Sequence, residues 1–208
     1  LRPPIVRAAC WLLLAVLVLA VVAAGHGVRA DLALKLQQPV FTVGVMAAAA
    51  TGVLAAVATF VASIPGRSRR WLLLPAPALA TWITTIGYGC LTNWVSIGPD
   101  GISLGETARC FGTLVMVSLP LSAVLLLMLR YVARLSPAPV AMCGSLAVAA
   151  MTATALCLLH PLDATALCLL HPLDATAMIL LWNFGVALLF VGAGGMAGPR
   201  LFNRLAPR

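Results

Sequence analysis

Six uncharged apolar stretches, each long enough for a bilayer-spanning helix, constrain this chain more than anything else in it. They are Ala8–Ala24, Val40–Ile64, Trp71–Cys90, Cys110–Leu129, Val140–Leu159 and Ala177–Ala197. A helix needs ~20 predominantly apolar residues to cross the hydrocarbon core, and backbone polar groups in lipid have no water to bond, so helices are the economical solution. Composition agrees: 62% of the residues are hydrophobic and 9% charged, against ~45–50% and ~25% in soluble domains. The expectation is an all-α integral membrane bundle of six transmembrane helices in one domain, residues 1–208, with too little chain between spans for a folded soluble module.

The first stretch resembles a signal peptide, with Val28-Arg29-Ala30 as a cleavage site. Its 17 residues exceed the ~7–15 of a signal h-region, so it reads as a retained anchor. An even number of spans puts both termini on one side. Lys and Arg flanking spans are held in the cytoplasm, and Arg2, Arg7, Arg67, Arg69, Arg70, Arg130, Arg134, Arg200, Arg204 and Arg208 all fall on one face. The other face takes Arg29, Lys35 and Arg109 with all five acids, Asp31, Asp100, Glu106, Asp163 and Asp174. Both termini are therefore expected in the cytoplasm, and the net charge of +8 reports topology rather than the nucleic-acid binding it would suggest in a soluble protein.

Boundary residues agree with the spans. Pro65-Gly66 stops the second, Pro75 and Pro77 fall in the first turns of the third, and Pro137 and Pro139 precede the fifth. Pro120 alone is mid-span and predicts a kink, its freed carbonyl served by a neighbour or by Ser118 or Ser122. Close helix approach is expected along Gly44, Ala48 and Gly52, and along Gly194 and Gly198, where small-xxx-small spacing lets backbones meet.

Ala153–Asp163 reads ATALCLLHPLD, and Ala164–Asp174 repeats it without a change. Two identical tandem copies of 11 residues are too short for a solenoid unit and read as a recent in-frame duplication. One copy completes a helical hairpin, so the other either lies at the outer interface or enters the fifth span by a register shift. Cys157-x-x-His160-x-x-Asp163 and Cys168-x-x-His171-x-x-Asp174 have metal-ligand-like spacing. Each copy lacks a second Cys or His pair, and helix capping accounts for its His, Pro and Asp; no metal or other cofactor is expected.

Six cysteines occur without a C-x-x-C pair. Cys90, Cys110, Cys157 and Cys168 fall toward the outer side and are candidate sensor thiols, with His160, Asp163, His171 and Asp174 as candidate outer-loop residues. Cys10 and Cys143 fall toward the cytoplasm. No ionisable residue lies inside the spans so drawn, which argues against ion-coupled transport, and no nucleophile motif surrounds a Ser; an enzyme is not expected. Arg67, Arg69 and Arg70 form a basic loop that suits lipid phosphates or a cytoplasmic partner.

The Arg-Pro-Pro entry at Arg2, the loop Ser63-Ile64-Pro65-Gly66-Arg67, Gly87-Tyr88-Gly89-Cys90, Cys110, and His-Pro-Leu-Asp followed by Leu181-Trp182-Asn183-Phe184-Gly185 together resemble the NrsF family, six-span inner-membrane anti-sigma factors of bacteria. The resemblance implies a multi-pass inner-membrane regulator that sequesters an extracytoplasmic-function sigma factor on its cytoplasmic side. It would release that factor on an envelope, oxidative or metal stress, without contacting nucleic acid itself. The family's cytoplasmic segment ahead of the first span implies that part of it is missing before Leu1. Cys110 matches the family's outer thiol, and its partner, displaced by Pro161 and Pro172, would be Cys157 or Cys168. A small transporter or channel-like protein is the alternative.

Overall fold

The computed structural model describes residues 3–28, 32–64, 66–92, 104–129 and 137–159. Among them all regular structure is helical. Helix α1 spans Pro4–His26, α2 Leu32–Lys35 and α3 Pro39–Ala62; a 3₁₀ turn over Arg69–Leu73 leads into α4, Ala76–Thr92; α5 covers Leu104–Leu129 and α6 Pro137–Leu159. Four of these are long and apolar enough to cross a membrane, over Pro4–Gly25, Pro39–Ala62, Gly112–Leu129 and Pro139–Leu159. The expected sixth span, the second copy of the duplication and the loops carrying Asp31, Asp100 and Asp163 lie outside the described residues.

Proline and glycine set the helix ends. Pro4 and Pro39 occupy first-turn positions of α1 and α3, where a missing N–H costs nothing and a fixed φ favours the helix. Gly27 ends α1 at φ 78°, returning its N–H to the Ala23 carbonyl at 2.9 Å. Ser63 ends α3 with its N–H on Thr59 at 3.0 Å and its hydroxyl on the Phe60 carbonyl at 2.7 Å. Gly66, at φ 82°, then turns the chain into the Arg67-Ser68 connection, a conformation that side chains with a Cβ resist.

Several boundaries differ from expectation. The fifth stretch is helical from Pro137, so Pro137 and Pro139 open that helix rather than precede it, as proline in a first turn can. The first helix starts at Pro4 rather than Ala8, so Arg7 lies inside it and inside the first candidate span. Arg7, placed before the first apolar stretch by the sequence, thus belongs to the helical segment that is long and apolar enough to cross a membrane. The third stretch is divided: Trp71–Leu73 belong to the 3₁₀ turn, and α4 has 17 residues, about 25 Å at 1.5 Å per residue. Pro75 cannot donate to a preceding turn, and the break falls just before α4. The fourth helix starts at Leu104, so Glu106 and Arg109 extend it beyond its apolar part. It also runs through Pro120 as one element of 26 residues.

Packing centres on α3. Its buried residues are Ala47, Ala48, Thr51, Gly52, Ala55, Ala56, Ala58, Thr59, Phe60 and Val61, a nearly all-round set that only a helix with several neighbours buries. Against it lie α6, α4 and α1, and α5 packs on α1 and α6. Ala8, Trp11, Ala15 and Val22 form the buried seam of α1, spaced like the a and d positions of a heptad. Leu13, Val16, Leu17 and Val21 on its other side remain exposed, as lipid-facing residues of a membrane bundle do.

The expected small-residue stripe in α3 is real but serves two partners. A Cβ built on Gly44 would lie 3.2 Å from Thr85 Oγ1 of α4, whereas one on Gly52 would lie 3.0 Å from Met151 Cγ of α6. The tightest approach is elsewhere: a Cβ on Gly144 of α6 would lie 2.8 Å from Leu125 Cδ2 of α5 and 3.5 Å from Thr59 Cγ2 of α3. Buried threonines do not leave hydroxyls unpaired. Thr51, Thr59, Thr152 and Thr154 each donate to the carbonyl four residues back, at 2.7, 2.7, 2.8 and 2.8 Å.

Candidate functional site

Arg7 of α1 reaches Met128 of α5 and Phe60 of α3, and Cys143 of α6 reaches Ala55 of α3, so the start of α1, the end of α3, the 3₁₀ turn, the end of α5 and the start of α6 share one end of the bundle, with α1 and α6 antiparallel to α3 and α5. Arg7 is its focus. Its guanidinium donates to the Met128 carbonyl in the last turn of α5 and lies 5.2 Å from the centroid of the Phe60 ring of α3. The last carbonyls of a helix lack intrahelical donors and carry the negative end of its dipole, so a cation there has both a hydrogen-bond and a field partner. The planar guanidinium can stack on a ring while donating in its own plane, and Phe60 is fully buried, which keeps that contact away from water.

One turn further along α1, Trp11 is also fully buried. Its indole Nε1–H donates to the Leu121 carbonyl at 3.1 Å, meeting the requirement that a buried Trp find an acceptor. Arg7 and Trp11 are four residues apart, hence on one face of α1. Together they tie the beginning of α1 to two points in the last third of α5.

The basic loop lies at the same end. Arg67, Arg69 and Arg70 are exposed. Ser68 caps the 3₁₀ turn, its hydroxyl accepting from the Arg70 N–H at 3.3 Å. Leu72 and Leu74 pack against the hydrophobic core while Trp71 and Leu73 stay exposed, so inward leucines hold the turn and leave its arginines outward. Arg69 and Arg70 open the 3₁₀ turn and Arg67 precedes its cap, on a segment separate from the Arg7 cluster.

The candidate thiols are less fully described. Cys110 is in the second turn of α5 and Cys157 in the last turn of α6, so antiparallel packing sets both toward the end opposite Arg7. Cys157 is half-buried. Cys90 is near the end of α4, at that same end, while Cys168, His160, Asp163, His171 and Asp174 lie outside the described residues. Cys10 is exposed on α1, and Cys143 is buried with its Sγ 3.4 Å from the Ala55 carbonyl, which also accepts from Thr59 Oγ1. Sequence reasoning missed the Arg7 and Trp11 contacts; the available signal was an Arg and a Trp at i, i+4 on the seam of the first helix.

The family model for NrsF, negative regulator of sigma F, matches residues 1–203. The chain belongs to that family. Its name makes the family one of negative regulators and points to a sigma factor as partner. No curated relative and no solved structure matches the chain.

Proposed function

We propose that this chain is a six-span, multi-pass protein of the bacterial inner membrane, with both termini in the cytoplasm, that holds an extracytoplasmic-function sigma factor at the membrane and out of transcription. The observation that carries the reading is the family match over nearly the whole chain, residues 1–203. Charge distribution supports the orientation: the bundle end bearing Arg7, Arg69 and Arg70 is the basic one, as the cytoplasmic end of a membrane protein is. The sigma factor is held by the cytoplasmic tails with the exposed Arg67, Arg69 and Arg70, and no contact with nucleic acid is needed.

Release follows when an envelope, oxidative or metal signal changes the bundle from the outer side, with Cys90, Cys110, Cys157 and Cys168 as the sensing thiols and His160, Asp163, His171 and Asp174 beside them. Release demands that two bundle states differ in affinity for the sigma factor. A hundredfold difference corresponds to about 2.7 kcal/mol, roughly the cost of removing two good hydrogen bonds from a bundle. The direct test is affinity purification of the full-length chain from membranes of cells that also produce an extracytoplasmic-function sigma factor of the same organism. Recovery of sigma in stoichiometric amount is expected; a full-length protein that brings down none removes the proposal.

A further inference from the structure

Two side-chain hydrogen bonds join α1 to α5 among the described residues. Both carbonyls of α5 that accept from side chains of α1, Leu121 and Met128, follow Pro120, the one proline inside that helix. Proline has no N–H, so the ladder bond that residue 120 would give to the Met116 carbonyl cannot form, and the helix is weakest at that point. The part of α5 after Pro120 is thereby the part able to move as a unit relative to the part before it, which carries Cys110. It is also the part fastened to α1, by a charged donor near its end and by an indole donor near its start.

We propose that Arg7 and Trp11 are positioning residues for sigma retention: they clasp the first turns of α1 to the segment of α5 that follows Pro120, so that a shift of this segment moves the cytoplasmic chain leading into α1. The inference rests on the sigma-retaining function proposed above. Arg7 supplies three properties at once, a charge for the α5 dipole, a donor for Met128 and a plane for Phe60, and Lys retains only the first fully. Trp11 supplies a bond whose loss orphans nothing, because the Leu121 carbonyl faces the N–H of Leu125 within its own helix. Trp11→Phe therefore removes the bond while keeping an aromatic ring in the packed seam.

The test measures sigma retention by the full-length chain in nanodiscs for wild type, Arg7→Ala, Arg7→Lys and Trp11→Phe, with thermal unfolding recorded for each. Met151→Ala, in the seam between α6 and α3, serves as a destabilised control. Loss of one neutral hydrogen bond corresponds to about two- to tenfold weaker retention for Trp11→Phe, with a larger loss for Arg7→Ala and partial recovery in Arg7→Lys. Retention should be unchanged in Met151→Ala at equal loss of thermal stability. Wild-type retention in all three Arg7 and Trp11 variants overturns the clasp and leaves the sigma-retaining function standing. An equal loss in Met151→Ala also overturns it, because retention would then follow stability. Absence of retention by wild type removes the function itself, and the positioning role with it.

Discussion

Substituting alanine at three helical glycines gives a graded stability series whose order follows from what each new methyl meets. In a helix interior Ala is favoured over Gly by about 0.8–1 kcal/mol, so any departure from that gain measures packing. At Gly112, where a Cβ meets nothing within 4 Å, the gain is unopposed and Gly112→Ala should stabilise by about 0.5–1 kcal/mol. At Gly52 the new methyl meets Met151 at 3.0 Å through its Cγ and at 3.3 Å through its Sδ and Cε. Methionine is the side chain best able to repack, and the result should lie within about 1 kcal/mol of wild type. At Gly144 the methyl would lie 2.8 Å from Leu125 Cδ2 with Thr59 behind it at 3.5 Å, and Leu125 is only 4% exposed, so three helices must part. Overpacking of that kind costs about 1–3 kcal/mol, leaving Gly144→Ala net destabilising by up to about 2 kcal/mol. Denaturant unfolding of the full chain in mixed micelles, followed by tryptophan fluorescence, reads the order. Leu125→Val removes reach from the clashing side chain, and the double variant should recover at least about 1 kcal/mol relative to the sum of the singles. A Gly144→Ala protein as stable as Gly112→Ala, or a strictly additive double variant, would refute the packing account of this junction.

Reporter fusions within Arg67–Arg70 and after Arg208 should read as cytoplasmic and fusions near Asp100 as external; an external reading at Arg208 removes the even-span topology. Deleting Ala164–Asp174 should leave insertion and expression intact, because one copy of the repeat already joins two helices, and loss of the folded protein would instead make the second copy part of the packed bundle. Oxidation of membranes should join Cys110 to Cys157 or Cys168 while Cys143, buried against the Ala55 carbonyl, stays unmodified by a water-soluble alkylating reagent. Equal alkylation of the outer thiols before and after oxidation would make them packing residues, and rapid labelling of Cys143 would contradict its burial.

Helical class, the seam of α3 and, to within one residue, the start of α3 were legible in sequence because uncharged length and proline position report them directly, whereas α6 starts at Pro137, three residues before the expected Val140. The small residues at Gly44 and Gly52 were legible as contact points, but their division between α4 and α6 was not, since an i+8 offset drifts around a helix and only the partners' positions decide which residue each meets. Gly144 carries no i+4 small partner in its helix, and its importance depends on Leu125 and Thr59 arriving from two other helices. Arg7 was placed outside its span because charge was taken as the boundary of the apolar run. The helix instead starts at Pro4, and the arginine enters it because Met128 and Phe60 satisfy the guanidinium there. The break before α4 hid behind an unbroken apolar run, Trp71–Leu74, that reads equally well as helix or as 3₁₀ turn. The duplication, the most conspicuous feature of the sequence, lies mostly outside the described residues, and its placement comes down to the deletion experiment.

The central claim is that this chain keeps a sigma factor on the membrane. Fractionation of cells expressing the full-length chain, with the sigma factor that co-purifies with it quantified in membrane and soluble fractions, tests it most directly. Most of the sigma factor should sediment with membranes when the chain is present and become soluble, with its target promoters active, when the chain is deleted. A sigma factor that is equally soluble, and promoters equally silent, with and without the chain would contradict the account.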